Sequence, residues 1–302
     1  MTRRVEIVEV GLRDGLQNEK TLLPTDVKME FIDRLLDAGC KRMEVASFVN
    51  PKLVPAMADS DDIMGRVPRD RGASWIGLAL NERGLRRAID MKCDEINYVM
   101  VASEGFGVKN QGATPEESAA LFERIAPLGI EAGIPLSATI SVAFGDPFDG
   151  EVDQSAVIDL AERAAKAGAV ELAFGDTIGV ADPWSVQRLI AGLRERLGDN
   201  GPRLRMHFHD TRNTAQANIF AAIEAGVDVI DASCGGLGGC PFAPNATGNV
   251  ATEDVVYMLD RAGIETGLDL DKLIETTHWV EKHIGRMPPA LLAKAGGFPK
   301  SA

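Results

Sequence analysis

The sequence predicts an α/β fold in which eight strand–helix units close into a (β/α)8 barrel, followed by a C-terminal helical extension. Three observations favour this class. Eight short apolar segments have strand character, helix-like segments separate them, and Ala-Gly pairs with Gly39, Gly168 and Gly226 end three helices just before a strand. A left-handed glycine is favoured at such a helix end. Regular alternation of helices and strands indicates a parallel sheet, and eight units suit a chain of 302 residues.

Each predicted element follows from its own residues. The strand candidates are, in order, VEIVEVG, CKRMEVAS, ASWIGLAL, EINYVMVA, LSATISVAF, VELAFGD, RLRMHFHD and VDVIDASC. Helices are predicted over Thr25–Ala38, Thr114–Ala132, Gln154–Ala167 and Pro183–Leu197. Thr25 and Thr114 are expected N-caps, and Pro183 suits a first helical turn.

The C-terminal part reads differently from the repeated units. From Thr252 onward, EDVVYMLDRAGI and LDKLIETTHWVEKHI have helical character with no strand between them. We therefore expect residues 1–302 to form a single catalytic domain, with a TIM barrel over about 5–251 and helices over about 252–302. A doubly wound open sheet is the rival fold, but no G-x-G-x-x-G follows the first strand and no P-loop occurs.

The charge balance excludes some classes of partner. The chain has 32 Lys and Arg against 45 Asp and Glu, a net charge of −13. Binding to nucleic acid or to an anionic membrane surface needs a basic face, so neither is expected. No apolar run is long enough to span a bilayer, the N-terminus has no room for a signal peptide, and the four cysteines lack CxxC spacing. These features predict a cytoplasmic protein with free thiols.

Polar residues gather where the predicted strands end. In a barrel of this kind, the active site lies at the C-terminal ends of the strands. The residues at these ends are Arg13, Asp14, Glu44, Ser47, Asp176, Thr177, His207 and His209, and the eighth strand leads to Cys240 and Asn249. This clustering predicts an active site.

The segment HFHD contains two of the four histidines of the chain. Residues i and i+2 of a strand share a face, so His207 and His209 are expected to project side by side. With Asp14 and the amide oxygen of Asn249 they form a mixed N/O set, which suits Mg, Mn, Fe, Co or Zn. The alternatives are two histidines that flank a core Phe208, and an Asp14 that only caps a turn.

Arg13 and Cys240 supply further chemistry. A guanidinium at the barrel mouth would stabilise an enolate or carboxylate oxygen, although a surface salt bridge is the simpler role. The glycines of CGGLGGCP allow positive φ and close backbone approach, as either a mobile lid or a barrel-closing turn requires. Cys240 would then exchange a proton with the substrate, unless it is a buried inert thiol, as Cys40 and Cys93 are expected to be.

These residues resemble the hydroxymethylglutaryl-CoA lyase family. VGLRDGLQNEK, MEVASFVNPKLVPAMAD, FGDTIG, HFHDT and GGLGGCPFAPNATGNVATEDVVYML carry the resemblance, which runs from about Val5 to near Leu259. It implies the following roles: cation ligands at Asp14, His207, His209 and Asn249; enolate stabilisation by Arg13; a loop cysteine at Cys240; an acidic residue needed for turnover at Glu44; and a supporting carboxylate at Asp176. We add Gln17, Ser47 and Thr177 to Arg13 as substrate-binding residues.

The resemblance implies a retro-aldol cleavage. The substrate would be 3-hydroxy-3-methylglutaryl-CoA or a close 3-alkyl analogue, and the products acetyl-CoA and acetoacetate. His207 would take the hydroxyl proton, and Cys240 would protonate the enolate of acetyl-CoA. The resemblance also implies Mg or Mn as cofactor with no nucleotide or flavin, an acyl-CoA partner, a homodimer, and a place in leucine degradation and ketone-body metabolism.

The chain departs from the family pattern at three places. Arg212-Asn213 stand where the family has Tyr-Gly, Ser233-Cys234-Gly235 stand where it has Ser-Val-Ala, and the middle of CPFAPNATGN is also altered. We expect these changes to lie near the substrate tail and to alter acyl-chain preference.

Two other functions remain as alternatives. One is a condensing enzyme that joins acetyl-CoA to a keto acid. Such enzymes commonly have Asn-Asp after H-x-H, where this chain has Asp210-Thr211. The other is a non-catalytic acyl-CoA- or metal-binding protein, which would be expected to have lost Cys240 or Arg13.

Overall fold

A closed barrel of eight parallel strands forms the centre of the protein. The computed structural model describes residues 3–239 and 248–298. The strands are β1 (Glu6–Glu9), β2 (Arg42–Ser47), β3 (Ser74–Ala79), β4 (Glu95–Val101), β5 (Leu136–Ser141), β6 (Glu171–Asp176), β7 (Arg203–Phe208) and β8 (Val229–Ala232). Each strand pairs with the next, and β8 closes on β1 with Glu6 beside Val229. The predicted TIM barrel and all eight predicted strands are confirmed.

Helices surround the barrel and extend beyond it. They are α1 (Thr25–Asp37), α2 (Ser60–Arg66), α3 (Glu82–Asp90), α4 (Glu104–Asn110), α5 (Pro115–Glu131), α6 (Gln154–Lys166), α7 (Pro183–Leu197), α8 (Ala215–Glu224), α9 (Thr252–Arg261), α10 (Leu270–Ile284) and α11 (Leu292–Ala295). The four helices given ranges from the sequence end within one residue of their predicted bounds. The C-terminal helical extension is also confirmed.

The expected helix ends are mostly confirmed. Gly39, Gly168 and Gly226 have φ of +99°, +104° and +86°, the left-handed region that glycine adopts at low cost. Thr114 caps α5 through a reciprocal pair of hydrogen bonds with Glu117. The prediction for Thr25 is wrong, because Thr25 is already the first helical residue and its hydroxyl donates to Asp59 Oδ2 at 2.9 Å.

Two different environments cover the faces of the strands. Outward strand side chains such as Trp75 pack with helix side chains such as Phe122 of α5 in one large apolar core. The barrel interior contains a small apolar cluster, together with charged side chains. The cluster comprises Val8, Val10, Ile76 and Val229, and the buried or nearly buried charged side chains include Arg42, Glu95, Glu171 and Arg205. The strands therefore read as continuous buried runs, as expected for a parallel sheet covered on both faces.

The C-terminal helices pack back onto the barrel. The rings of Trp279 on α10 and Phe31 on α1 are 6.0 Å apart. Cys234 Sγ, just after β8, lies 3.3 Å from Thr277 Oγ1 on α10. None of the helices that the structure describes has the length and apolar character of a membrane span.

Candidate active site

Arg13 and Asp14 lie on a single π-helical turn, Gly11–Gly15, directly after β1. The turn is closed by the Gly15 N–H, which donates to Val10 O at 3.1 Å. Arg13 Nη1 donates to Asp14 Oδ1 at 2.6 Å, and Arg13 Nε pairs with Glu44 Oε1 at the middle of β2. Burial alone would raise the pKa of Asp14, but the Arg13 guanidinium and the two imidazoles opposite hold that pKa well below its ordinary value. Asp14 is therefore a carboxylate at neutral pH.

His207 on β7 and His209, directly after its last residue, face Asp14. Asp14 Oδ2 lies 4.0 Å from His207 Nε2 and 3.9 Å from His209 Nε2. The histidine rings are 5.2 Å apart, so the two side chains share one face as predicted. His207 lies beside Asp231 in the β7–β8 register, and its Nδ1 is 3.0 Å from Asp231 Oδ2. Because a carboxylate can only accept, Nδ1 carries a proton and donates it to Asp231, and Nε2 is the ring nitrogen on the Asp14 side.

A short segment after the glycine loop, residues 248–250, places Asn249 beside His209; we call it the return segment. After the glycine loop, the chain pairs antiparallel with the end of β7: Asp210 N–H donates to Gly248 O at 3.1 Å, and Val250 N–H to Phe208 O at 3.0 Å. Asn249 Nδ2 then donates to Asp14 Oδ2 at 2.7 Å and to Leu237 O at 3.0 Å. Four residues from three distant parts of the sequence thus meet at one point.

These four residues fit a divalent cation. The ligand atoms of Asp14, His207 and His209 lie within 4.8 Å of one another. Asn249 Oδ1 is buried without a hydrogen-bond partner, which is costly unless a cation or another donor occupies the place next to it. Two imidazoles, a carboxylate and an amide oxygen suit Mg, Mn and similar ions.

Glu44 belongs to a buried polar chain that holds Arg13. Its Oε1 pairs with Arg13, and its Oε2 accepts from Asn97 Nδ2 at 2.8 Å. Thr139 Oγ1 in turn donates to Asn97 Oδ1 at 2.9 Å. Glu44 is 1% exposed, so it acts on the guanidinium rather than at an open surface. Held by two carboxylates, the Arg13 guanidinium is a pre-positioned cation at the edge of the cavity.

A cavity of about 510 Å³ opens at this end of the barrel. Its polar lining includes Arg13, Asp14, Gln17, Asn97, Thr139, Ser141, Thr177, His207, His209 and Asp231. Its apolar lining includes Val49, Leu53, Val54, Pro55, Leu78, Leu80, Val99 and Phe106. The cavity therefore joins a charged end, where the ligand residues lie, to an apolar wall.

The remaining predicted site residues lie at varying distances from this cavity. Gln17 and Thr177 line it. Ser47 is 1% exposed at the end of β2 and is not among the lining residues. Asp176 accepts from Val180 N at 2.8 Å and Ala181 N at 3.1 Å, so it shapes the loop after β6, and burial raises its pKa to about 6.

Cys240 lies outside the described residues. The other three cysteines are buried free thiols: Cys40, Cys93 and Cys234. Burial raises the pKa of each of these thiols, that of Cys93 to about 12. The expectation that Cys40 and Cys93 are buried is confirmed.

The expectation that the departures from the family pattern lie near the substrate tail is not supported by the positions of the first two, and the middle of CPFAPNATGN lies outside the described residues. Cys234 and Gly235 are buried against Thr277 and Pro288 of the C-terminal extension. Arg212 donates to Ile178 O at 2.7 Å and so braces the loop after β6. None of the three lines the cavity.

Two residues of the site were not recognised from the sequence. Asp231 orients His207, and Asn97 connects Glu44 to Thr139. Each is a polar residue within an otherwise apolar strand, VDVIDASC or EINYVMVA, and this pattern was the available signal. Only the register of the closed barrel shows what each one contacts.

Comparison with known proteins identifies relatives that span nearly the whole chain. The family model described as HMGL-like matches residues 4–280. A hydroxymethylglutaryl-CoA lyase of Bacillus subtilis is 39% identical over 288 residues, which cover 95% of this chain and 96% of that protein. An (R)-citramalyl-CoA lyase of Chloroflexus aurantiacus is 41% identical over 303 residues, covering 97% of this chain and 95% of that protein.

The fold comparison gives the same result. The structure of an HMG-CoA lyase from Acinetobacter baumannii, in complex with coenzyme A and 3-methylmalate, aligns with a TM-score of 0.93 at 36% identity. The alignment covers 99% of this chain and 97% of that one. Since both the family model and these relatives span nearly the whole chain, the protein belongs to the HMGL-like family and is a carbon–carbon lyase.

Proposed function

We propose that the protein cleaves a 3-hydroxyacyl-CoA with a tertiary hydroxyl group, with 3-hydroxy-3-methylglutaryl-CoA as the substrate. The observation that carries this proposal is the meeting of Arg13 with Asp14, His207, His209 and Asn249 at one end of a single cavity. Retro-aldol cleavage needs deprotonation of a hydroxyl and stabilisation of an enolate, and this end of the cavity has groups suited to both. The products would be acetoacetate and acetyl-CoA.

The apolar wall of the cavity suits the thioester arm. Val49, Val54 and Pro55 form part of this wall, and Leu53, which is 79% exposed, stands at its outer end. A flexible, mostly apolar arm would lie along this wall while the acyl head group reaches Arg13. The relative solved with coenzyme A supports an acyl-CoA ligand.

Arg13 would stabilise negative charge on the thioester oxygen as the C–C bond breaks. Its guanidinium is already held by Asp14 and Glu44, so little reorganisation is needed when charge develops. Glu44 would serve as a positioning residue, with Asn97 fixing its other oxygen.

His207 would receive the hydroxyl proton at Nε2, since its Nδ1–H is engaged by Asp231. A divalent cation held by Asp14, His207, His209 and Asn249 would lower the pKa of a substrate hydroxyl bound to it. Nε2 has one lone pair, so His207 accepts the proton only in a state in which it does not bind the cation. Cys240 would deliver a proton to the enolate carbon and so complete acetyl-CoA.

A second substrate is supported by a specific observation. The relative from Chloroflexus aurantiacus at 41% identity is an (R)-citramalyl-CoA lyase. Citramalyl-CoA carries its carboxylate directly on the hydroxyl-bearing carbon, and its cleavage releases pyruvate instead of acetoacetate. Asn97, Thr139 and Ser141 make part of the cavity polar, which suits a carboxylate placed close to that carbon.

Product analysis decides between these functions. Each thioester is incubated with the protein and Mn²⁺, and acetoacetate and pyruvate are measured. Acetoacetate from hydroxymethylglutaryl-CoA supports the proposal, and pyruvate from citramalyl-CoA supports the second candidate. Net condensation of acetyl-CoA with a keto acid would identify a condensing enzyme, and no turnover of any substrate would indicate a binding protein. We also propose a homodimer in the cytoplasm, which sedimentation and cell fractionation can test.

A further inference from the structure

Below the candidate cation site, a line of buried charges continues along the barrel interior. Arg203, Arg205 and His207 alternate on one face of β7. Arg205 is 1% exposed, and its Nε lies 3.4 Å from Asp231 Oδ1 and 3.3 Å from Glu171 Oε1. Arg205 therefore stands between a carboxylate of β6 and the carboxylate that contacts His207.

Glu171 is fixed from the other side. Arg42 Nη1 donates to Glu171 Oε2 at 2.9 Å, and Arg42 Nη2 donates to Glu171 Oε1 at 2.7 Å and to Glu95 Oε2 at 2.6 Å. Ser137 Oγ donates to the second oxygen of Glu95 at 2.6 Å. The lower end of the line is thus immobilised by charge-assisted hydrogen bonds.

The two oxygens of Asp231 have different partners. Oδ1 faces the Arg205 guanidinium, and Oδ2 lies 3.0 Å from His207 Nδ1. A buried carboxylate without a nearby cation would be costly. The Arg205 guanidinium makes no hydrogen bond to Asp231, so it acts on the Oδ1 side of this carboxylate by charge alone. With the positive charge of Arg205 on the Oδ1 side, the carboxylate orientation in which Oδ2 meets His207 Nδ1 is the favoured one.

We propose that Arg205 is a positioning residue that acts through Asp231 on His207. By holding Asp231 it favours the imidazole tautomer with the proton on Nδ1, and it leaves the Nε2 lone pair directed at Asp14 and the cation site. A fixed tautomer and ring orientation increase the affinity of a histidine for a metal ion. The inference rests on the proposed function only for its effect on turnover.

The test uses the metal-free protein first. With four histidines in the chain, long-range ¹H–¹⁵N NMR at mildly alkaline pH resolves the tautomer of each ring. Wild-type His207 is expected as the Nδ1–H tautomer. Arg205→Met keeps much of the side-chain volume without the charge, so a mixture of tautomers is expected. Mn²⁺ binding by calorimetry without substrate should weaken about tenfold, and Arg205→Lys should recover most of it.

Arg203→Met is the matched control, because it removes the same charge from the same strand face at a site that is half exposed. It should leave both measurements unchanged. If Arg205→Met fails to fold, Arg205→Met/Glu171→Gln keeps the net charge of the cluster and is read in the same two assays. An unchanged tautomer with unchanged Mn²⁺ affinity would overturn the proposal and leave Arg205 as a structural counter-ion. Since neither assay uses a thioester, a failed product assay would count against the proposed function alone.

Discussion

At the scale of single residues, substitution of Arg13 distinguishes a role in catalysis from a role in substrate binding alone. Arg13 donates to Asp14 Oδ1 and so competes with a cation for that carboxylate. Arg13→Met should lower kcat by at least about 10²–10³, the usual cost of losing one oxyanion contact, while Mn²⁺ affinity is not weakened. Steady-state kinetics and calorimetry check this. Arg86→Met, at an exposed position on α3, is the control. A rise in KM alone would show that Arg13 only binds substrate.

Cys240 is the second residue with a sharp test. The buried thiols of Cys40, Cys93 and Cys234 have raised pKa values and should react slowly with iodoacetamide at neutral pH. Iodoacetamide should therefore label Cys240 and inactivate the enzyme, and an acyl-CoA should prevent both effects. Mass spectrometry of the labelled protein identifies the modified cysteine. Cys240→Ser should keep Mn²⁺ affinity and lose most turnover. Cys93→Ser is the control and should retain turnover. Wild-type turnover in Cys240→Ser would show that another group protonates the enolate carbon.

At the scale of elements, the return segment decides whether Asn249 reaches the site. A Cβ on Gly248 would lie 2.1 Å from Gly236 O, so the backbone would have to move. Gly248→Ala should displace Asn249, weaken Mn²⁺ binding about tenfold and destabilise the fold by about 1–3 kcal/mol. Gly65→Ala on α2 is the control, since its Cβ would meet nothing closer than 3.6 Å. Equal Mn²⁺ affinity in the two variants would mean that Asn249 is not a ligand.

The root of the glycine loop is joined to α9 and α10 by a buried acid. Glu253 accepts from Gly235 N at 3.0 Å and Thr277 Oγ1 at 2.5 Å, and burial raises its pKa from 4.5 to about 7. A raised folded-state pKa contributes stability that is present below pH 4.5 and lost as pH rises to about 7. Across this window, Glu253→Gln should therefore gain stability relative to wild type, by at most about 3 kcal/mol.

Urea unfolding of the metal-free protein at a series of pH values measures this difference. Glu275→Gln, at an exposed position on the same α10, should show a difference from wild type that does not change with pH. If the difference in unfolding free energy between Glu253→Gln and wild type also did not change with pH, the ionisation of Glu253 would not be linked to folding.

At the scale of the whole molecule, the cation site connects distant parts of the chain. Asp14 follows β1, the histidines belong to the end of β7, and Asn249 lies beyond the glycine loop. An ion that binds only the folded barrel should add about 2.7 kcal/mol to the unfolding free energy at 100 times its Kd. His209→Ala should abolish most of this gain, and His278→Ala, on exposed α10 surface, should retain it. Equal stabilisation of both variants by Mn²⁺ would place the ion elsewhere.

The sequence by itself determined the barrel and most of the site. Strand alternation and helix ends are local properties, so they predicted eight strands, the pairing of His207 with His209 on one face, and polar residues at one rim. The sequence alone could not show that Asn249 reaches His209 through the return segment, or that Cys234 and Gly235 are buried away from the cavity. Nor could it show the contact of Arg205 with Asp231 and His207. These contacts join residues on different strands and loops, so they depend on the register and closure of the barrel, which only the tertiary structure decides.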